Sequence, residues 1–239
     1  MSKIKLLSVI VPAYNEEKNI RPTVEGLVSV FENKTLNDYE ILIFNDKSTD
    51  KTGEIVDKLA MEHKEVRGIH NPINRGFGYN YKRGVELAQG KYVLMIPGDD
   101  ETDLDSIDSL LNSIGKADLI LSYTTNMEVR KISRRIVSGI FVKFLNAIFG
   151  LRLKYYNGVC IHRTDLARKS IPTTFGFAFA AEMSIKLLKS GFSFVEVPIR
   201  IKPTNKSSAF KIKNIISVIK TITFLFWRIN IKKERLKVF

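Results

Sequence analysis

Lys91-Tyr92-Val93-Leu94-Met95-Ile96-Pro97-Gly98-Asp99-Asp100-Glu101 runs a short apolar segment straight into three consecutive carboxylates. Tyr92 to Ile96 has the length and composition of a buried strand. In an open α/β sheet, ligands bind just beyond the carboxyl ends of strands, so the three acids stand where chemistry would be done. Carboxylates in such a place suit a hard divalent cation, and that kind of ion usually carries phosphates. The plain alternative is a solvated acidic turn opening the next helix, since Asp and Glu favour a first helical turn. The stretch alone does not separate the two.

Its surroundings do. Upstream, Leu6–Val11, Tyr39–Phe44 and the weaker Val66–His70 read as strands, alternating with helical patterns over Ile20–Phe31, Thr52–His63 and Tyr79–Ala88. Downstream come a helix over Asp105–Ile114 and a strand over Asp118–Tyr123. Near-continuous apolar strands separated by helices predict an α/β fold with a doubly wound, mostly parallel sheet and helices on both faces. Beyond Tyr123 the pattern changes to a long helix over Ile132–Phe149, a helix over Ala181–Lys189 and a strand over Phe194–Ile201. An amphipathic helix over Ile212–Ile231 precedes a basic tail.

The chain has 239 residues, enough for a substantial core, and 44% hydrophobic and 26% charged content is ordinary for a globular protein. The lone Cys160 excludes an internal disulfide framework and suits a reducing compartment. Met1 to Leu7 runs directly into a strand pattern, so no signal peptide is expected, and no uninterrupted run of 18 apolar residues predicts a spanning helix. The net charge of +13 is unevenly placed. Residues 1–129 carry 15 Lys and Arg against 21 Asp and Glu, net −6, whereas residues 130–239 carry 23 against 4, net +19. Such a division points to a polyanionic partner for the second part. Nucleic acid is the weaker choice, because no base-reading or aromatic-interleaved basic module is visible.

Three more strand ends carry ligand-competent groups. Val9-Ile10-Val11-Pro12-Ala13-Tyr14-Asn15-Glu16-Glu17 leads from a strand, through a proline expected to end it, to two acids. Tyr14 could lie against a planar base and Glu16 could accept from base or ribose. Read blandly, Asn15 is an N-cap with Glu17 in the first turn. Asn45-Asp46-Lys47-Ser48-Thr49-Asp50 puts an acid beyond the second strand, with an Asx turn as its simpler reading. Asn74-Arg75-Gly76-Phe77-Gly78 follows the third strand, where glycines let the backbone approach a phosphate at a helix start.

These segments, together with Phe175-Gly176-Phe177, Glu182-Met183, Gly191 and Glu196-Val197-Pro198-Ile199, strongly resemble the family 2 glycosyltransferases of the nucleotide-sugar-binding GT-A fold. Within that family the chain looks most like the dolichyl- and polyprenyl-phosphate sugar transferases, which move a sugar from a nucleoside diphosphate with inversion. The resemblance covers the chain up to about Ser208. It implies that Pro12, Ala13, Tyr14 and Glu16 line the nucleotide pocket with Gly76, and that Asp46 binds the base beside Asn45, where the family usually has another Asp. The family's Asp-x-Asp metal signature falls on Pro97-Gly98-Asp99, so its first acid is missing. Asp99 and Glu101 are then the expected ligands of Mg²⁺ or Mn²⁺, with Asp100 behind them or on the sugar.

A metal is needed because the leaving group is a nucleoside diphosphate on which charge develops. Arg130 and Arg134, spaced i,i+4, would do the same for donor or acceptor phosphates. A hydroxyl acceptor needs a general base, for which Glu182 is the candidate, whereas a lipid phosphate is already ionised and needs charge compensation. Where the family places an Arg and a Gly after its Val-Pro-Ile strand, this chain has Lys202 and Lys206, with Lys211 further on. The implied organisation is a transferase domain over 1–208, with a donor half 1–129 and an acceptor half 130–208, and a membrane-associating segment over 209–239. The expected reaction is metal-dependent transfer from a UDP- or GDP-sugar to a polyprenyl phosphate. Its alternatives are a glycan hydroxyl acceptor, or a degenerate nucleotide-sugar-binding protein. The helices Ile132–Phe149 and Ile212–Ile231, flanked by Lys and Arg, suit an anionic membrane surface, and a homodimer face is their other use. The expected location is peripheral, on the cytoplasmic face of the membrane.

Overall fold

A computed structural model describes residues 5–174, 176, 178–203 and 212–233, with backbone only for 212–216. The first five strands are β1 (Lys5–Ala13), β2 (Tyr39–Asn45), β3 (Val66–His70), β4 (Gly90–Met95) and β5 (Leu119–Thr124), followed by β6 (Cys160–Arg163) and β7 (Phe194–Ile199). They form one seven-stranded sheet in the order β3-β2-β1-β4-β6-β5-β7. Every neighbouring pair is parallel except those made by β6, which runs antiparallel to both β4 and β5. The chain moves outward from β1 through β2 to β3 and then returns to the other side of β1 as β4. The order therefore reverses between β1 and β4, and the ends of these two strands flank the crevice where α/β proteins bind ligands.

The sheet is buried on both faces because its strands alternate between two cores. Leu7, Val9, Val11, Ile41, Ile43, Tyr92 and Leu94 face a core closed by α1 (Ile20–Asn33), α2 (Thr52–Glu62) and α4 (Leu104–Leu111). Ile10, Leu42, Phe44, Val93, Met95, Leu119 and Leu121 face the other. That second core takes in α3 (Phe77–Leu87), α5 (Ile132–Phe149), α6 (Thr164–Lys169), α7 (Phe179–Lys189) and α8 (Ile212–Phe226), which continues as a π-helical turn over Trp227–Ile231. This is why the strands read as near-continuous apolar runs rather than alternating ones.

Three local expectations are corrected. Pro12 does not end β1: the strand runs one residue further, Pro12 pairs in register with Phe44, and only its carbonyl is used, accepting from Gly98 N at 3.0 Å. Asn15 caps no helix, since α1 starts at Ile20. The short β6 and α6 were not expected at all. Among the described residues no helix is long and apolar enough to cross a membrane.

Candidate active site

The ends of β1 and β2 are clasped together by reciprocal hydrogen bonds. Asn15 N donates to Ser48 Oγ at 3.0 Å, and Asn15 Oδ1 accepts from Thr49 N at 2.8 Å. Glu16 N donates to Thr52 Oγ1 at 2.8 Å, and Glu17 Oε2 accepts from Lys51 N at 3.1 Å. Asp50 accepts from Thr52 Oγ1 at 2.5 Å, Thr52 N at 3.0 Å and Glu17 N at 3.3 Å; burial opposes its ionisation, but these donors, the Thr52 hydroxyl first, lower its pKa. Asn15 and Lys47 adopt φ of +56° and +64°, strained for side-chain-bearing residues and held here by the clasp. The result is a rigid rim from which Tyr14 projects, 49% exposed. Glu16 lies on the same rim with Oε2 accepting from Asn19 Nδ2 at 2.6 Å.

Behind the rim, Asp46 is buried. Its Oδ1 accepts from Asn71 Nδ2 and Arg75 N, both at 2.8 Å, and its Oδ2 accepts from Gly76 N at 2.7 Å. The carboxylate thus shapes the loop that opens α3, in which Gly76 takes φ +84°. Asn45 is also buried, with Oδ1 accepting from Ser48 N and Nδ2 facing His70 Nδ1, each at 3.0 Å. Ala13 O accepts from Asp46 N at 2.9 Å, so Pro12 and Ala13 serve the site through their backbones.

The acidic turn sits across the crevice. Gly98 packs closely there: a Cβ would stand 2.8 Å from Ile20 Cδ1 and 3.3 Å from Ala13 Cβ, so a larger residue would have to displace the Ile20 side chain. Asp99 Oδ1 accepts from Glu101 N at 3.1 Å. Burial, then repulsion from Asp100, raise the Asp99 pKa, against the Glu101 backbone hydrogen bond and Arg130. Asp100, at φ +56°, is paired with Lys202, whose Nζ lies 2.7 Å from its Oδ1.

The loop after β5 brings the guanidinium groups to this turn. Arg130 donates to the Tyr155 hydroxyl at 3.1 Å, and its Nε is buried with no hydrogen-bond partner. Arg134 is held below its ordinary pKa by burial and then by the like charge of Arg130, while Glu101, Tyr155 and Asp99 pull the other way. Asp99, Glu101, Arg130 and Arg134 therefore form one electrostatic cluster. Lys206 lies outside the described residues.

Glu182 stands apart. It is 1% exposed, and its Oε1 accepts from Thr173 N and Thr173 Oγ1 at 2.9 and 2.8 Å and pairs with Lys186, while its Oε2 accepts from Thr174 N at 3.2 Å. None of these partners belongs to the acidic turn, and the carboxylate holds a loop in place. Two participants had no local signal in the sequence: Tyr155, which supports Arg130, and Asn126, whose side-chain amide pairs with both backbone groups of Ile201 at 2.8 and 3.0 Å.

The donor atoms present fit a hard divalent cation. Asp99 is a desolvated carboxylate whose backbone hydrogen bonds, from Glu101 N and its own N, do not outweigh its burial, and Glu101 follows two residues on. Among the described residues no three His, Cys, Asp or Glu side chains gather into a metal cluster. Two protein carboxylates are what a Mg²⁺-type site needs when substrate phosphates supply the remaining oxygens.

Comparison with known proteins bears on the family and the fold. A dolichyl-phosphate beta-glucosyltransferase of Trichomonas vaginalis is 31% identical over 129 residues, which is 50% of this chain and 38% of that protein. Glycosyltransferase AglD of Haloferax volcanii is 23% identical over 236 residues, 95% of this chain and 38% of that protein. The chain spans less than half the length of the curated relatives it matches. Among solved structures, glucosyl-3-phosphoglycerate synthase from Mycobacterium tuberculosis, in complex with Mn²⁺, uridine diphosphate and phosphoglyceric acid, superposes with a TM-score of 0.70 at 19% identity, covering 93% of this chain and 78% of that one. Mannosyl-3-phosphoglycerate synthase from Rubrobacter xylanophilus gives a TM-score of 0.73 at 14% identity, covering 96% and 75%. Likeness at such low identity speaks for the fold, which is GT-A. The model described as "Glycosyl transferase family 2" matches residues 8–177, well over half of the sequence, and the chain therefore belongs to that family of glycosyltransferases.

Proposed function

We propose that this glycosyltransferase moves a sugar, with inversion, from a UDP- or GDP-sugar to a polyprenyl phosphate at an anionic membrane surface on the cytoplasmic side. The carrying observation is the cluster of Arg130 and Arg134 against Asp99 and Glu101, with the Arg130 Nε buried and unpartnered. Two adjacent guanidiniums repel one another, and an incoming phosphate dianion would relieve that repulsion. The names of the dolichyl-phosphate relatives support the same acceptor class.

In this reading Tyr14 stacks on the base, Glu16 and Asp46 with Asn45 fix the nucleoside edge of the pocket, and the Gly76 loop follows the diphosphate. Bound to Asp99 and Glu101, Mg²⁺ or Mn²⁺ would supply electrophilic stabilisation of the leaving diphosphate. Arg130, aligned by Tyr155, and Arg134 orient the acceptor phosphate, whose oxygen is already ionised and needs no base. Glu182 acts by holding the 173–174 loop. That occupation of its carboxylate leaves the glycan-hydroxyl alternative without a positioned base among the contacts described for Glu182. The donor half is 1–129, the acceptor half 130–208, and 209–239 with α5 meets lipid.

Radiolabelled nucleotide sugars offered with polyprenyl phosphate and Mn²⁺ should give an organic-extractable, mild-acid-labile product. Asp99→Ala should lower its formation by at least about a hundredfold, on the scale of losing a transition-state charge partner. Label confined to water-soluble glycan would overturn the acceptor assignment, and no transfer from any donor would support a degenerate nucleotide-sugar binder.

A further inference from the structure

β2 and β3 end in register, with Asn45 beside His70. From this pair a chain of side-chain hydrogen bonds runs in both directions. Toward the crevice, Asn45 Oδ1 accepts from Ser48 N at 3.0 Å, and Ser48 Oγ accepts from Asn15 N at 3.0 Å, one residue beyond Tyr14. Toward the surface, Asn45 Nδ2 lies 3.0 Å from His70 Nδ1, and His70 Nε2 lies 2.9 Å from Asp57 Oδ1 on α2. Gly53 leaves room for the junction, since a Cβ there would stand 2.9 Å from Asn45 Nδ2 and 3.7 Å from His70 Cε1.

The direction of every link is fixed. A backbone N–H can only donate, so Ser48 N marks the oxygen of the Asn45 amide, and the other end is an NH₂ donor. His70 Nδ1 must then accept, which puts the ring's single proton on Nε2, where it is donated to Asp57. The chain is therefore built for a neutral ring. Protonation would set an Nδ1–H against the Asn45 NH₂, and turning the amide over would set that NH₂ against Ser48 N. Either way one link is lost. β2 faces the ring with the neutral amide of Asn45, and α2 faces it with Asp57, whose side chain is 62% exposed and screened by solvent.

We propose that His70 is a positioning residue for donor binding, which holds Asn45 and, through Ser48, the rim that takes the nucleoside. Protonation of His70 releases that rim, so donor affinity falls as the pH is lowered. This rests on the donor-pocket reading above. Histidine is suited to the task because it is the side chain that ordinarily changes charge between about pH 5 and 8.

The test is calorimetric titration of the full-length protein with UDP-glucose and with GDP-mannose, in saturating Mg²⁺, from about pH 7.5 to about 5.5, within the range where histidine titrates. The diphosphate diesters of both probes keep their charge across that range. Wild-type affinity for the matching probe should fall at least about fivefold more than that of His70→Asn, the equivalent of one lost hydrogen bond of about 1 kcal/mol. In His70→Asn an amide oxygen takes the place of Nδ1 and cannot titrate, so binding at the upper pH should stay near wild type. His70→Leu should bind at least about fivefold more weakly than wild type at the upper pH. Asn45→Asp can accept from Ser48 N and from a protonated ring together, and should lose the acid-side fall. Equal falls in wild type and His70→Asn would overturn the proposal, as would wild-type affinity in His70→Leu. If wild type binds neither probe at the upper pH, the donor-pocket reading itself fails, and the proposal fails with it.

Discussion

His162 is buried in the sheet, with Nδ1 3.1 Å from the Tyr81 hydroxyl and Nε2 without a hydrogen-bond partner. Burial holds its pKa down at about 4, against an ordinary value of 6.5. Between those limits the unfolded chain takes up a proton that the folded chain refuses. Stability therefore falls as pH drops through the window, by about 3 kcal/mol in total, and is regained on raising the pH above it. Urea midpoints measured from pH 7.5 down to 4 should show this slope, and His162→Gln, which cannot titrate, should flatten it whatever its overall stability. An unchanged slope in that variant would put the acid sensitivity elsewhere. The residues of the candidate site were legible in position, because Asp46 and Asp99 lie beyond the ends of β2 and β4 and Arg130 in the loop after β5, as the sequence suggests. Their partners were not. Asp46 meets Arg75 and Gly76, 29 and 30 positions away, and Asn15 meets Ser48 and Thr49, so what looked like a helix cap is half of a clasp between two loops.

Among the elements, the long ones were read to within a few residues because their periodicity is strong, and α5 matches its expected bounds. The four-residue β6 was missed because so short a run carries no period, and the neighbours that make it a strand, β4 and β5, are remote in sequence. Exposure also redistributes the emphasis between the two amphipathic helices. α8 buries Ile222 and Leu225 in the second core while Ile219, Phe224 and Trp227 stay exposed. α5 buries only Leu145 and Phe149, and leaves Ile132, Ile136, Val137, Ile140 and Phe144 on one stripe, 49–70% exposed. Each such side chain gains about 1.5–3 kcal/mol on leaving water completely. The paired change Ile136→Asp with Ile140→Asp should therefore cut liposome co-sedimentation of the full chain at least about tenfold, the equivalent of one such lost burial. Nucleotide-induced thermal stabilisation should stay as in wild type, since neither residue faces the acidic turn. Undiminished sedimentation would assign lipid binding to the segment after Ile212 instead.

At the scale of the whole molecule, charge and topology divide at the same place. The net −6 of residues 1–129 belongs to the segment that carries the β1–β2 rim and the acidic turn, and the net +19 of residues 130–239 begins with Arg130, whose charge is felt at Asp99. Arg134 lies on α5 and Arg130 two residues before it, so docking of the apolar stripe of α5 on lipid would carry both guanidiniums close to head-group level. Basic residues near an anionic leaflet contribute about 1 kcal/mol each, and that contribution is screened over about 10 Å at 0.1 M salt. Two forces thus act on one face, and salt separates them. Raising NaCl from about 0.1 to about 0.5 M should lower partitioning onto phosphatidylglycerol vesicles by more than about tenfold, because the shortened screening length removes the electrostatic share and leaves the apolar one. Neutral phosphatidylcholine vesicles should bind the chain weakly at either concentration, and thermal stability should hardly change, since the cores are apolar. Equal, salt-insensitive binding to both lipids would mean that the basic half faces away from the membrane. Its charge would then have to serve the phosphates of donor and acceptor alone.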